Sequence, residues 1–169
     1  MTPISMYQAS APRFANTLNN LSAILDKAQA HCEAKKIDPL ALTSFRLYPD
    51  MLPFTRQITI ACDTAKGAVA RLAGVENPKH EDSEKTFEEL KARIAKTVAF
   101  IGGVKAAQLD GSEDKVIVHK LGPREVTFQG LQYLLGFAQP NFYFHAVTAY
   151  DILRHNGVEL AKRDYIGNP

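Results

Sequence analysis

The chain has 169 residues, 46% of them hydrophobic and 22% charged, with 20 Lys plus Arg against 18 Asp plus Glu. Those proportions are those of an ordinary globular domain, here one domain over residues 1–169, and they exclude disordered, collagenous and fibrous classes. A formal charge of +2 lacks the clustered positive excess that nucleic acid selects, and the two cysteines, Cys32 and Cys62, are too few for a secreted disulfide framework.

The run from Met1 to Gln8 has no basic segment leading into an apolar one, and Thr2 stands where N-myristoylation needs glycine. No cysteine near Pro169 is available for prenylation, and no window approaches the roughly 20 apolar residues of a membrane span. The expectation is a cytoplasmic protein with neither a membrane nor a nucleic-acid partner.

In chain order, Phe14, Leu18, Leu21, Leu25 and Ala28 recur at helical spacing, which predicts a first helix to about Ala34. Ser5 is a candidate cap, Pro12 marks either the start of the regular part or a bend, and Lys35 to Pro39 ends it. A helical fragment around Leu40 to Phe45 leads to Asp50, read as the N-cap of a second helix with Pro53 in its first turn. Phe54, Ile58, Ala61, Ala65, Ala68 and Leu72 form the apolar face of that helix, and Gly74 stops it. After a loop, Thr86 and Glu89 have the spacing of a capping box. The third stripe, Phe87, Leu90, Ile94, Val98 and Ile101, runs to Gly102-Gly103, with a solvated charged face that includes Glu84, Lys85, Glu88, Lys91 and Lys96.

The period then changes. Lys115 to His119 and Glu125 to Phe128 are short β-branched runs around Leu121-Gly122-Pro123, the pattern of a hairpin. Helical spacing returns from Leu131, is expected to break or kink at Pro140, and resumes through His145, Ala149 and Ile152 to Gly157. The tail from Leu160 is read as a polar surface segment. Four amphipathic helices with one hairpin before the last predict an all-α antiparallel four-helix bundle.

For metal chemistry the five histidines, His31, His80, His119, His145 and His155, form no HxxxH pair. Only His145 lies within an apolar stripe, and Asn141 precedes it by one turn, so both side chains point the same way. On the second helix Asp50, Phe54 and Gln57 share a face. Asp50, Gln57, Asn141 and His145 are therefore the candidate ligand-pocket residues, and a hydrogen-bonded cluster that sets helix register is the competing reading. No GxSxG elbow and no phosphate-cradling glycine loop are present, and the acids sit at caps or on charged faces rather than as a glycosidase-like pair, so no catalytic residue is assigned. Phe137, Phe142, Tyr143, Phe144 and Tyr150 either pack internally or form a homodimer patch.

The segments Met6 to Pro12, Asp50 to Gln57, Pro140 to His145 and Tyr150 to Gly157 resemble the DinB/YfiT-like superfamily. The resemblance covers nearly the whole chain and points to an uncharacterised bacterial branch, a domain-of-unknown-function family. It implies a four-helix bundle, often a homodimer, and in the wider superfamily a divalent metal held by three histidines. Some members are thiol-dependent transferases or hydrolases. Carried over, the ligand positions fall near Gln57 and on Asn141 and His145, and only His145 is retained. Amide side chains are poor ligands for zinc or nickel. Three readings follow: a small-molecule-binding or interaction module without a cofactor; a transferase or hydrolase, with a divalent metal on His145 or with His145 as base and Asp50 or a tyrosine assisting; and a structural dimer.

Overall fold

The structure, a computed structural model, describes residues 3–168. Met1, Thr2 and Pro169, on which the terminal-signal expectations rest, lie outside them. The molecule is mostly helical (64%) with one small hairpin.

The chain opens with a separate short helix, α1 (Met6–Ala9), which Ser5 and Gln8 cap reciprocally. Ser10 turns its hydroxyl back to the Met6 carbonyl (2.6 Å), and α2 (Ala11–Lys35) starts beyond it with Pro12 in the first turn, where no amide is needed. After α3 (Pro39–Thr43), α4 (Phe54–Ala73) begins at Pro53 rather than at the expected cap Asp50. The reason is local: proline crowds the residue before it and disfavours helical geometry there, and Leu52, preceding Pro53, lies outside the helix, which leaves Asp50 in the turn before it. Gly74, at φ +72°, ends α4 and lets the Val75 amide bond the Ala70 carbonyl at 3.0 Å.

The Thr86–Glu89 capping box starts α5 (Phe87–Gly103), in which Gly102 and Gly103 are the last helical residues and Val104 is the cap. The short α6 (Ala106–Leu109) leads to an antiparallel hairpin, β1 (Val116–Leu121) and β2 (Arg124–Gln129), with Leu121 opposite Arg124. Lys115 lies just outside the strand and bonds the Leu72 carbonyl (3.0 Å).

Pro140 does not break the last long segment. α7 (Gly130–Tyr133) passes through a π-helical turn at Leu134–Ala138 directly into α8 (Gln139–His155). The wider turn accommodates a proline that offers no amide to the preceding residues. The tail also departs from expectation: Leu160 is buried, and α9 (Lys162–Ile166) packs on α2, with Asn20 donating to the Tyr165 and Ile166 carbonyls at 3.0 and 2.9 Å.

Helix α4 packs against α8 and α5, and α2 against α5 and α8, around one core. The α4 alanines Ala61, Ala65 and Ala68 are fully buried, which brings neighbouring backbones close. Edge-on ring pairs, Phe14 with Phe142 (4.8 Å) and Phe54 with Phe87 (6.2 Å), join helices far apart in sequence. Each such buried ring contributes on the order of 2–3 kcal/mol of apolar burial. Among the described residues no helix is long and apolar enough to cross a membrane.

Candidate functional site

Three polar contacts run down the seam between α4 and the last helical segment. His145 Nδ1 lies 2.7 Å from Gln57 Oε1, Asn141 donates to Thr64 Oγ1 at 2.9 Å, and Arg71 donates to the Tyr133 hydroxyl at 3.1 Å. On α4 these residues are seven apart, two helical turns each, while their partners descend from 145 to 133, so the segments are antiparallel.

The first rung is closed. The Gln57 amide nitrogen donates to the Leu52 carbonyl (2.8 Å), which turns Oε1 toward the imidazole. An amide oxygen only accepts, so His145 Nδ1 carries the proton and Nε2 keeps the lone pair. Gln57 is 1% exposed and His145 9%. Burial, with the Arg56 charge nearby, lowers the His145 pKa from its ordinary value and favours the neutral ring.

Asp50 is not part of this constellation: it is exposed in the turn before α4. Asn141 bonds Thr64, and not Gln57 or His145. Among the described residues no three His, Cys, Asp or Glu side chains converge to hold a metal. One imidazole nitrogen beside two amides is a donor set that does not fit the three-histidine centre the superfamily implies.

The second and third rungs border an open cleft of about 490 Å³ between α4, the loop after it, the hairpin and the π turn. Asn141 and Thr64 line it, but Asp50, Gln57 and His145 do not. Its wall also holds Arg71 and Lys66 from α4 and Tyr133, which the sequence pattern does not single out, together with His80 from the loop, His119 from β1 and Phe137 from the aromatic group. The His119 ring lies 5.1 Å from Phe137 and 5.7 Å from Tyr133, so one wall is aromatic. Burial, followed by the Arg71 charge, lowers the His119 pKa, and burial followed by Lys66 and Arg93 lowers that of His80. The available signal was Arg71, two heptads beyond Gln57 and one turn after Gly67.

Behind the cleft stands a second unexpected cation. Arg93, with a side chain 1% exposed, binds Asp63 (2.9 Å), Glu84 (2.8 Å), Asp82 (3.3 Å) and the Glu81 carbonyl (2.9 Å). Glu84, expected on the solvated face, therefore helps to pin the loop after α4 to α5. Arg56 pairs with Asp82 and Lys66 bonds the Pro78 carbonyl, which adds two further ties to the same loop.

The two cysteines are both buried, and burial pushes the Cys62 thiol up to about 12. Neither has the depressed pKa of a reactive thiol.

A DinB family member protein from Shewanella denitrificans, known from its crystal structure, is 42% identical, with a TM-score of 0.87 over 96% of this chain and 92% of that one. No curated protein matches the chain. The model of a domain of unknown function, DUF1993, matches residues 6–166. The hairpin, the helical order and the match along almost the entire length lead to one conclusion: the chain belongs to the DUF1993 family of DinB-like proteins.

Proposed function

We propose that the four long helices form one antiparallel bundle and that the protein is a small-molecule-binding module whose ligand enters the cleft bordered by Asn141 and Thr64. The observation that carries the reading is the closed pair at the first rung. His145 Nδ1 is committed to Gln57, Gln57 is committed to Leu52, and among the described residues no three His, Cys, Asp or Glu side chains converge there. A metal-dependent transferase needs several converging ligands and an open coordination position, and this donor set supports neither. The adjacent cleft has the volume and the mixed aromatic and polar lining of a ligand site.

Two measurements test this. Protein purified without a histidine tag is expected to carry no stoichiometric divalent metal, and a metal that is present one to one and lost in His145→Ala overturns the reading. The ring-proton NMR signals of His119 and His80 are expected to shift with at least one of benzoate, phenyl phosphate and benzamide. If none of the three moves them, the cleft is not the ligand site.

A specific observation also favours self-association. Leu131, Leu135, Phe144 and Val147 are exposed on the solvent side of the α7–α8 segment, Phe144 by 56%. A homodimer would cover them, since aromatic and aliphatic side chains of this kind are enriched at such contacts. Light scattering distinguishes the cases, with Phe144→Glu expected to dissociate the dimer.

A further inference from the structure

Arg71 is half-buried in the lining of the cleft, and its one side-chain hydrogen bond among the described residues goes to a neutral phenol, Tyr133, at 3.1 Å. No carboxylate among the described residues pairs with it. The other cations around the cleft differ. Lys66 is held by Asp63 (3.2 Å) and the Pro78 carbonyl, and Arg93 by its acids. Asp63, the one carboxylate among the described residues of the lining, is occupied on both oxygens, Oδ1 by Lys66 and Oδ2 by Arg93. What faces the open space is therefore an uncompensated guanidinium, with the exposed ammonium of Lys79 at the rim.

Two further features point the same way. Thr64 accepts from Asn141, so its hydroxyl proton is free to donate into the cleft. The His80 Nδ1 atom is buried, without a partner among the described residues, in a residue of the same lining. Gly67 makes the arrangement sterically possible: a Cβ there would stand 2.5 Å from Arg71 Nη1, so only glycine leaves the guanidinium room to lie across α4.

We propose that the cleft binds a small organic anion, a carboxylate or phosphate on a flat apolar body. The anionic head would lie against Arg71, with Thr64 and Lys79 as further donors, and the body against His119, Tyr133 and Phe137. A guanidinium offers forked donors that match the oxygens of either headgroup, and the aromatic wall suits a planar partner. The proposal rests on the cleft being the ligand site, as argued above, and adds the charge of what it takes.

The test is titration of the full chain with benzoate, phenyl phosphate and neutral benzamide, followed at His119 and His80 by NMR. The anions are expected to bind and benzamide to bind at least about tenfold more weakly, with anion affinity falling as salt rises. The stronger of the two anions identifies the headgroup. Arg71→Gln is expected to weaken anion binding about tenfold or more, and to weaken benzamide much less than the anions. Gly67→Ala, which displaces the guanidinium without removing it, is expected to act in the same direction. Lys79→Gln, an exposed change that does not threaten folding, is expected to weaken anions about two- to threefold. Equal binding of benzamide and the anions, or anion binding indifferent to Arg71→Gln and to Lys79→Gln, overturns the charge assignment and leaves the cleft as a ligand site. Binding by none of the probes overturns both.

Discussion

Arg93 makes clear how much one side chain can hold. Its guanidinium is buried among Asp63, Asp82 and Glu84, of which only Glu84 is itself largely covered. Removing one partner of such a cluster leaves the other charges partly desolvated and the loop after α4 untied. Arg93→Met is therefore expected to destabilise the protein by about 2–3 kcal/mol in urea unfolding, with hydrogen exchange rising first in residues 75–86. At the Gln57–His145 pair, Gln57→Leu strands the Nδ1 proton and the Leu52 carbonyl and is expected to cost about 1–3 kcal/mol. Histidine titration makes a further mark. His80, His119 and His145 all have pKa values lowered from 6.5, with burial as the first cause. On acidification the unfolded chain takes up protons at these rings before the native state does. Their stabilisation is thus complete above about 6.5 and drains as pH falls toward the lowered native values. Unfolding free energies at about pH 7.5 and about pH 5.5 are expected to show this loss, reduced in His145→Asn, and a gain on acidification would contradict it.

Among the elements, the junction of hairpin and last helix has the least tolerance. A Cβ at Gly130 would overlap the Ser112 carbonyl oxygen, a backbone atom that cannot swing aside, and the Leu131 amide is tied to Glu113 at 2.8 Å. Gly130→Ala is expected to lower stability by about 1–3 kcal/mol, through overpacking rather than lost burial. Gly102, in the last turn of α5, has no atom within 4 Å of its would-be Cβ. There the same substitution is expected to raise stability by roughly 0.5–1 kcal/mol, since alanine loses less backbone freedom on becoming helical. Thermal unfolding of the two variants side by side checks both signs. Helix faces and stops were legible because they depend on neighbours a few residues away: the Phe14 and Phe54 stripes are buried as spaced, the Phe87 stripe is buried apart from the half-buried Val98, and the Thr86–Glu89 box forms. Pro53 and Pro140 were harder. Whether a proline starts a helix, delays it or is absorbed by a π turn depends on how the flanking segments pack.

For the molecule as a whole, the two cysteines give a simple probe of integrity. Cys62 lies fully inside the core and Cys32 nearly so. Neither is expected to react with a thiol reagent at mildly alkaline pH until the protein unfolds, and rapid labelling of the native state would show that the core opens locally.

Amphipathic period and capping chemistry were enough to determine the long helices, an inserted hairpin and most of the residues that face the core, although Leu131 and Leu135 turn outward and Arg93 is buried. They also placed Gln57 and His145 on inward faces, and resemblance pointed to the right family. Only the tertiary structure decided which polar groups meet. Arg71 and Tyr133 are 62 residues apart, Arg93 draws acids from a loop with no period of its own, and Asp50 is carried away by a proline three residues later. Local spacing reports the face a side chain occupies, whereas a cleft exists only where several faces and a loop are brought together by packing.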